Sequence, residues 1–154
     1  MNSPVISKVD IKNVDFGKNV KVVQPVNLYG CSIGGDSFIG PFVEIQKGVK
    51  IGSNTKVQSH SFICEMVSIG DFCFIGHGVM FINDAFKNNG PANGDTSLWS
   101  ETTVGNNVSI GSNATILPVK ICDNAVIGAG AVVVKDILES GVYVGNPARK
   151  IREI

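Results

Sequence analysis

From Ile33 onward an apolar residue returns at every sixth position: Ile33, Ile39, Ile45, Ile51, Val57, Ile63, Ile69, Ile75 and Phe81. Ile, Val, Leu and Phe make up about a third of the chain, so nine hits in succession arise by chance on the order of once in 20,000 trials per phase. An earlier series, Val14, Val20 and Val26, is read as leading residues joined to the main run through a one-residue slip near Gly30. A later one runs Val104, Ile110, Ile116, loses a residue at Pro118, and continues through Ile121, Ile127 and Val133. Gly often follows the leading residue, as at Gly34, Gly52, Gly70, Gly76, Gly105 and Gly111. Four places after the leader comes a small or branched residue, as at Ser37, Val43, Thr55, Ser61 and Cys73.

A period of six matches neither the 3.6 of a helix nor a series of simple hairpins. It suits an all-β parallel β-helix, in which each short strand buries its leader and then turns a corner. Three hexads make a coil of 18 residues, and coils stack about 4.8 Å apart through backbone hydrogen bonds. The pattern predicts about six coils in a single domain over 1–154, with a loop extruded near 83–103 and a short C-terminal cap at 138–154. No coil can bury its leaders alone, so the stack is the fold.

An 18-residue coil also acts as a ruler. Asn83 falls over Glu65, with Lys47 below; His77 falls over Ser59, and His60 lies under Gly78. The third and fourth places of a hexad leave the core at a corner, which places these side chains at the surface or an interface. His77 and Asn83 are one hexad apart, on adjacent corners separated by up to about 20 Å along a face. A shared site then requires a groove between two copies of the chain. One copy would supply the Asn83/Glu65 corner and its neighbour the His60/His77 corner.

The stretch from Ala85 to Thr103 is rich in Gly, Asn and Pro and breaks the beat, because Phe81 and Val104 are 23 residues apart. An insertion of this length on a compact solenoid is usually functional. It departs directly after Asn83-Asp84, so those polar residues mark where a groove-covering loop leaves a rigid corner. Phe86 and Trp99 are its aromatic residues, Trp99 being read chiefly as an anchor for the loop. "IGAGAVVV" lacks the third Gly of a dinucleotide fingerprint, and the hexad beat accounts for it.

Thirteen basic and thirteen acidic residues give a formal charge of zero, which removes a broad field for nucleic acid or an acidic membrane surface. No apolar run approaches the roughly 18 residues that span a bilayer. "MNSPVISKVD" lacks a signal peptide's apolar core, and a cytoplasmic location is the expectation. Cys31, Cys64, Cys73 and Cys122 show no CxxC spacing and are read as reduced structural thiols. The sequons at Asn107 and Asn113 carry no meaning in that compartment.

The pattern [Ile/Val]-Gly-x-x-[small]-x over residues 14–149 resembles that of the hexapeptide-repeat acyltransferases. That resemblance implies a left-handed β-helix, assembly as a homotrimer with sites between subunits, and acetyl-CoA as cosubstrate without a metal. Three segments are similar to the N-acetyltransferases of nucleotide-linked amino sugars, particularly 3-amino sugars of surface glycans such as lipopolysaccharide. They are "QSHSFICEMVSIGDFCFIGHGVMFIND", "SIGSNATILPVKICDNAVIGAGAVVVKDI" and "VGNPARKI". Such enzymes often follow Asn-Asp with an aromatic, Pro and Arg. Here "AFKNNGPANG" supplies Phe86 but no Pro-Arg pair, a departure that bears on the sugar or nucleotide (UDP or dTDP) rather than the reaction.

The resemblance implies that Asn83 meets the amine and that Asp84 binds sugar hydroxyls or orients the loop, with Glu65, His60, Phe86 and Trp99 as substrate contacts. A sugar amine titrates nearer the roughly 7.7–8.0 of an α-amino group than a lysine, so a strong base is optional. His77 or His60 accepts the proton, or the departing CoA thiolate does. Ala114, Ala129 and Ala131 are the expected small residues along the pantetheine groove, and Lys135, Arg149 and Lys150 the expected phosphate contacts. Transfer to a hydroxyl is the main alternative, and it needs a base far more. A β-helical carbonic anhydrase needs three His around zinc, and this chain has two. An ice-binding solenoid needs regular Thr rows, whereas the outward positions here are mixed.

Overall fold

A computed structural model describes residues 3–154. Short strands, most of two or three residues, form three sheets of seven, six and eight strands, all parallel except for the last strand of the third. No α-helix occurs among the described residues; the one helical element is a 3-10 turn, Thr96–Leu98. Among the described residues no helix is long and apolar enough to cross a membrane.

The first face carries, in stacking order, Ile11–Lys12, Asn27–Tyr29, Glu44–Ile45, Phe62–Ile63, Met80–Phe81, Thr115–Ile116 and Val132–Val133. The second runs from Asp15–Phe16 to Lys120–Ile121, and the third from Lys21–Val22 up to Gly141–Val144. In the middle of the stack the register advances by 18, as in Ile33↔Ile51, Ile45↔Ile63 and Val57↔Ile75. At both ends it advances by 17, as in Leu28↔Ile45 and Val104↔Ile121. The strand counts amount to about seven turns, one more than the repeat predicts, because Ile11–Lys12 and Gly141–Val144 also join the sheets.

Leaders from Ile33 to Val133 point inward and are almost fully buried. The N-terminal phase differs from expectation. Phe16, Val22 and Leu28 pair with Ile33, Ile39 and Ile45, so they are the leaders, while Val20 and Val26 take the fourth place after a leader and Val14 the third place after Ile11. The slip is thus a five-residue hexad between Leu28 and Ile33. Both places face the core in every hexad, and hydrophobicity alone does not tell one from the other.

The second inward place also explains its small polar residues. Ser37 Oγ donates to Gly52 O at 3.0 Å, Thr55 Oγ1 to Gly70 O at 2.9 Å and Ser61 Oγ to Gly76 O at 2.8 Å. These residues are at most 1% exposed, and each hydroxyl finds its partner in a carbonyl of the next coil. The Gly column at the second corner has a steric cause. A Cβ on Gly34 would sit 2.5 Å from the Gly52 carbonyl carbon, and one on Gly52 equally close to that of Gly70.

Thr102–Val104 is already paired with Val67–Ile69, so the extruded loop closes slightly before residue 103. At the C-terminus Gly141–Val144 extends the third face, and Arg149–Arg152 folds back antiparallel to cover its edge.

Candidate functional site

On the second and third faces a Gly commonly follows the leader. On the first face Tyr29, Gln46, Cys64, Ile82 and Leu117 stand there instead. That corner is therefore not closed by a tight Gly turn, and it is where the chain departs. The neck of the loop is pinched by the Ser100 N–H donating to Asn83 O at 2.9 Å.

Asn83 sits one coil above Glu65, as the 18-residue ruler expects, and its Nδ2 donates to Glu65 O at 3.2 Å. Below it, the Glu65 N–H donates to Gln46 Oε1 at 3.3 Å, Gln46 Nε2 to Glu44 Oε1 at 3.0 Å, and Asn27 Nδ2 to Glu44 Oε2 at 3.1 Å. Burial, followed by the charges of Glu44 and Glu65, raises the Tyr29 phenol above its ordinary value. This half-buried polar column escaped the sequence analysis. Its signal was the missing Gly after the leader in every third hexad.

Asp84 is taken up by the loop itself. Its carboxylate accepts from the Phe86 N–H at 3.0 Å and the Ala92 N–H at 2.7 Å. Further out, Asp95 accepts from the Ser97 hydroxyl and backbone N–H, which cap the 3-10 turn and hold its carboxyl below the usual range. Trp99 is half-buried beside the neck, whereas Phe86 is 60% exposed.

The histidine corner lies at the other end of the strand Met80–Phe81. His77 Nδ1 is 2.8 Å from Ser59 Oγ, and the Gly78 N–H donates to Ser59 O. His60 adopts a left-handed φ of 65° and stacks on Phe42, with ring centroids 4.8 Å apart. Both rings are exposed. One chain therefore joins Asn83 to Glu65 and His77 to Ser59, but leaves the two groups on different corners.

At the C-terminal end one expectation is corrected. Ala114 and Ala131 occupy the second inward place and are 0% exposed, so their methyls line the core and no groove; of the three alanines only Ala129 is on the surface. Lys135, Arg149 and Lys150 do border one cleft of about 310 Å³ with Tyr143 and Asp136. Lys150, however, is committed to Glu153 at 2.8 Å and Glu139 at 3.4 Å, pairings that raise its pKa. Lys135 and Arg149 remain as the exposed cations there.

Cys31, Cys64 and Cys73 are buried free thiols; Cys122 is half-buried and also free. Burial pushes Cys31 up to about 11 and Cys64 to about 12. Among the described residues no group of three or more His, Cys, Asp or Glu is placed to hold a metal ion.

Residues 30–65 match the sequence model of the bacterial transferase hexapeptide (six repeats), and residues 101–135 that of the hexapeptide repeat of succinyl-transferase. The chain is 34% identical over 153 residues to the bifunctional protein GlmU of Streptococcus uberis; the match takes in 98% of this chain and 31% of that protein. The chain thus spans about a third of this curated relative's length. Among solved structures it is similar to a single-site variant of AntD, an N-acyltransferase from Bacillus cereus in complex with dTDP and coenzyme A. The TM-score is 0.78 at 26% identity, covering 90% of this chain and 83% of that one. A maltose O-acetyltransferase from Clostridium difficile 630 superposes with a TM-score of 0.56 at 29% identity, covering 90% and 70%.

Proposed function

Because the chain belongs to the hexapeptide-repeat transferase superfamily, we propose that it is an acetyl-CoA-dependent N-acetyltransferase. Its acceptor is the amino group of a nucleotide-linked amino sugar, with a 3-amino sugar of surface-glycan synthesis as the leading candidate. The observation that carries this reading is the likeness to AntD, an N-acyltransferase holding dTDP and coenzyme A, across nine-tenths of the chain.

The chemistry fits the corner. Transfer from a thioester to an amine needs a neutral amine, a held carbonyl and somewhere for the proton to go. A fraction of a sugar amine with a pKa of about 8 is already neutral at physiological pH, so positioning supplies much of the rate. Asn83 presents a fixed acceptor to the amine N–H, and Asp84 shapes the loop that covers it. His77 has a hydroxyl beside its ring rather than a carboxylate, which favours the departing CoA thiolate as the proton acceptor.

The protein acts as a homotrimer, in which Asn83 and Glu65 of one copy face His60 and His77 of the next. Met80 and Phe74, each about 40% exposed, belong to the outward apolar side chains that self-association would cover. Lys135 and Arg149 take the CoA phosphates at the C-terminal end, and reliance on acetyl-CoA and a nucleotide sugar puts the reaction in the cytoplasm. The test is thiol release from acetyl-CoA with a panel of UDP- and dTDP-linked 3-amino and 4-amino sugars. Preference for 4-amino acceptors removes the 3-amino assignment, and release with none of them removes the reading.

Transfer to a hydroxyl is the second reading, favoured by the likeness to a maltose O-acetyltransferase. A hydroxyl is a far weaker nucleophile and makes a base at His77 indispensable.

A further inference from the structure

We propose that Glu44 and Gln46 are positioning residues for the acceptor amine, acting through Asn83; this rests on the reading of Asn83 as the group that meets that amine. Both lie two coils below the neck, in the coil of Glu44–Ile45, and neither is placed to touch a substrate held by Asn83.

Their effect follows from the direction of the hydrogen bonds. A carboxylate only accepts, so Glu44 compels both amides bonded to it, Asn27 Nδ2 at 3.1 Å and Gln46 Nε2 at 3.0 Å, to face it with their N–H groups. Gln46 must then turn its Oε1 away, and that oxygen meets the Glu65 N–H at 3.3 Å. Glu65 is held from the other side as well, its carbonyl accepting from Asn83 Nδ2 at 3.2 Å. An amide oxygen has no hydrogen to donate to a carbonyl, so this bond fixes the sense of the Asn83 amide: Nδ2 inward on Glu65, Oδ1 outward.

The column seated on Glu44 thus holds the Glu65 backbone from below, and Asn83 is bonded to that same residue from above. Tyr29 marks the same cluster, since Glu44 and Glu65 both act on its phenol. A chain of polarised bonds in partly desolvated surroundings is stiffer than its members alone. Oδ1 of Asn83 makes no hydrogen bond among the described residues, and no buried side-chain polar atom there lacks a partner, so this oxygen is open to solvent. As an acceptor it takes an N–H of the amine and leaves the nitrogen lone pair turned elsewhere, towards the thioester. When the column is broken Glu65 is held only from above, the amide of Asn83 can rotate, and the lone pair loses its aim.

The experiment measures thiol release from acetyl-CoA with a dTDP-linked 3-amino sugar for Gln46→Ala, Glu44→Gln, Asn83→Ala and the Gln46→Ala/Asn83→Ala double variant. Thermal midpoints are recorded for all four. Gln46→Ala and Glu44→Gln are expected to lower kcat between about tenfold and a hundredfold, a range typical of a small misplacement, with KM for acetyl-CoA unchanged. The double variant is expected to be no slower than Asn83→Ala, because Gln46 acts only through Asn83. Losses that multiply in the double variant overturn the inference, as does wild-type kcat in Gln46→Ala and Glu44→Gln; either outcome leaves the role of Asn83 standing. Wild-type kcat in Asn83→Ala overturns that role and this inference together. Glu44→Gln keeps the side-chain volume, so it supplies the answer if Gln46→Ala does not fold.

Discussion

Ser59 Oγ stands 2.8 Å from His77 Nδ1, one coil step below it, so the hydroxyl occupies the inner nitrogen of the ring and only Nε2 is open to a substrate. When Ser59 donates to Nδ1, Nε2 carries the hydrogen and cannot act as a base. When His77 donates to Ser59, Nε2 is free to accept a proton, but no carboxylate follows to stabilise the imidazolium. His77→Asn is therefore expected to lower kcat by less than about tenfold on an amino-sugar acceptor, short of the 10²–10⁴ of a full general base. Steady-state thiol release measures it. Complete loss of activity marks the hydroxyl-acceptor reading instead.

Gly52 tests the vertical packing of the coils. An added Cβ would lie 2.5 Å from the Gly70 carbonyl carbon, an approach only a backbone shift can relieve. Gly52→Ala is expected to cost about 1–3 kcal/mol, read from the urea midpoint. Gly90→Ala in the loop meets nothing within 4 Å and should leave that midpoint unchanged.

The thiols should separate by depth. Cys64 is 2% exposed and its thiol is pushed up to about 12, so at pH 7 the reactive thiolate is roughly one part in 10⁵. In the native protein an aromatic disulfide reagent should modify Cys122 alone, and slowly, since its pKa is raised too. Cys31, Cys64 and Cys73 should react only after unfolding. Rapid native labelling of four thiols contradicts the packing described.

The C-terminal cations should not be equivalent. Arg149→Ala and Lys135→Ala are expected to raise KM for acetyl-CoA several-fold, with a smaller effect on a CoA analogue lacking the 3′-phosphate. Lys150 is already paired with Glu153 and Glu139, so Lys150→Ala should leave that KM within about twofold. Equal effects for all three would place the phosphates elsewhere or show that the Lys150 pairs open on binding.

Much of the fold is written in the sequence because one side chain per hexad must be apolar, and the same spacing places Asn83 on Glu65 and His77 on Ser59. The failures have one cause. A hexad has two inward places, so Val14, Val20 and Val26 look like leaders, and Ala114 and Ala131 look like small surface residues when they are core. The Glu44–Gln46 column is less legible, because polar residues on an outward face ordinarily signal no more than solvent. Its meaning comes only from the direction of bonds that the coil spacing does not encode.

The neck between Asn83 and Ser100 has a consequence for how such a protein can change. Above it the Thr102 N–H bonds Met66 O at 3.0 Å, and the solenoid resumes as if residues 84–99 had never intervened. The excursion is attached like a cassette to a single rung, so its length and sequence can be exchanged without retuning a coil. Acceptor preference can then drift by replacement of the cassette while the rigid column beneath keeps the same amide aimed at whatever nitrogen arrives.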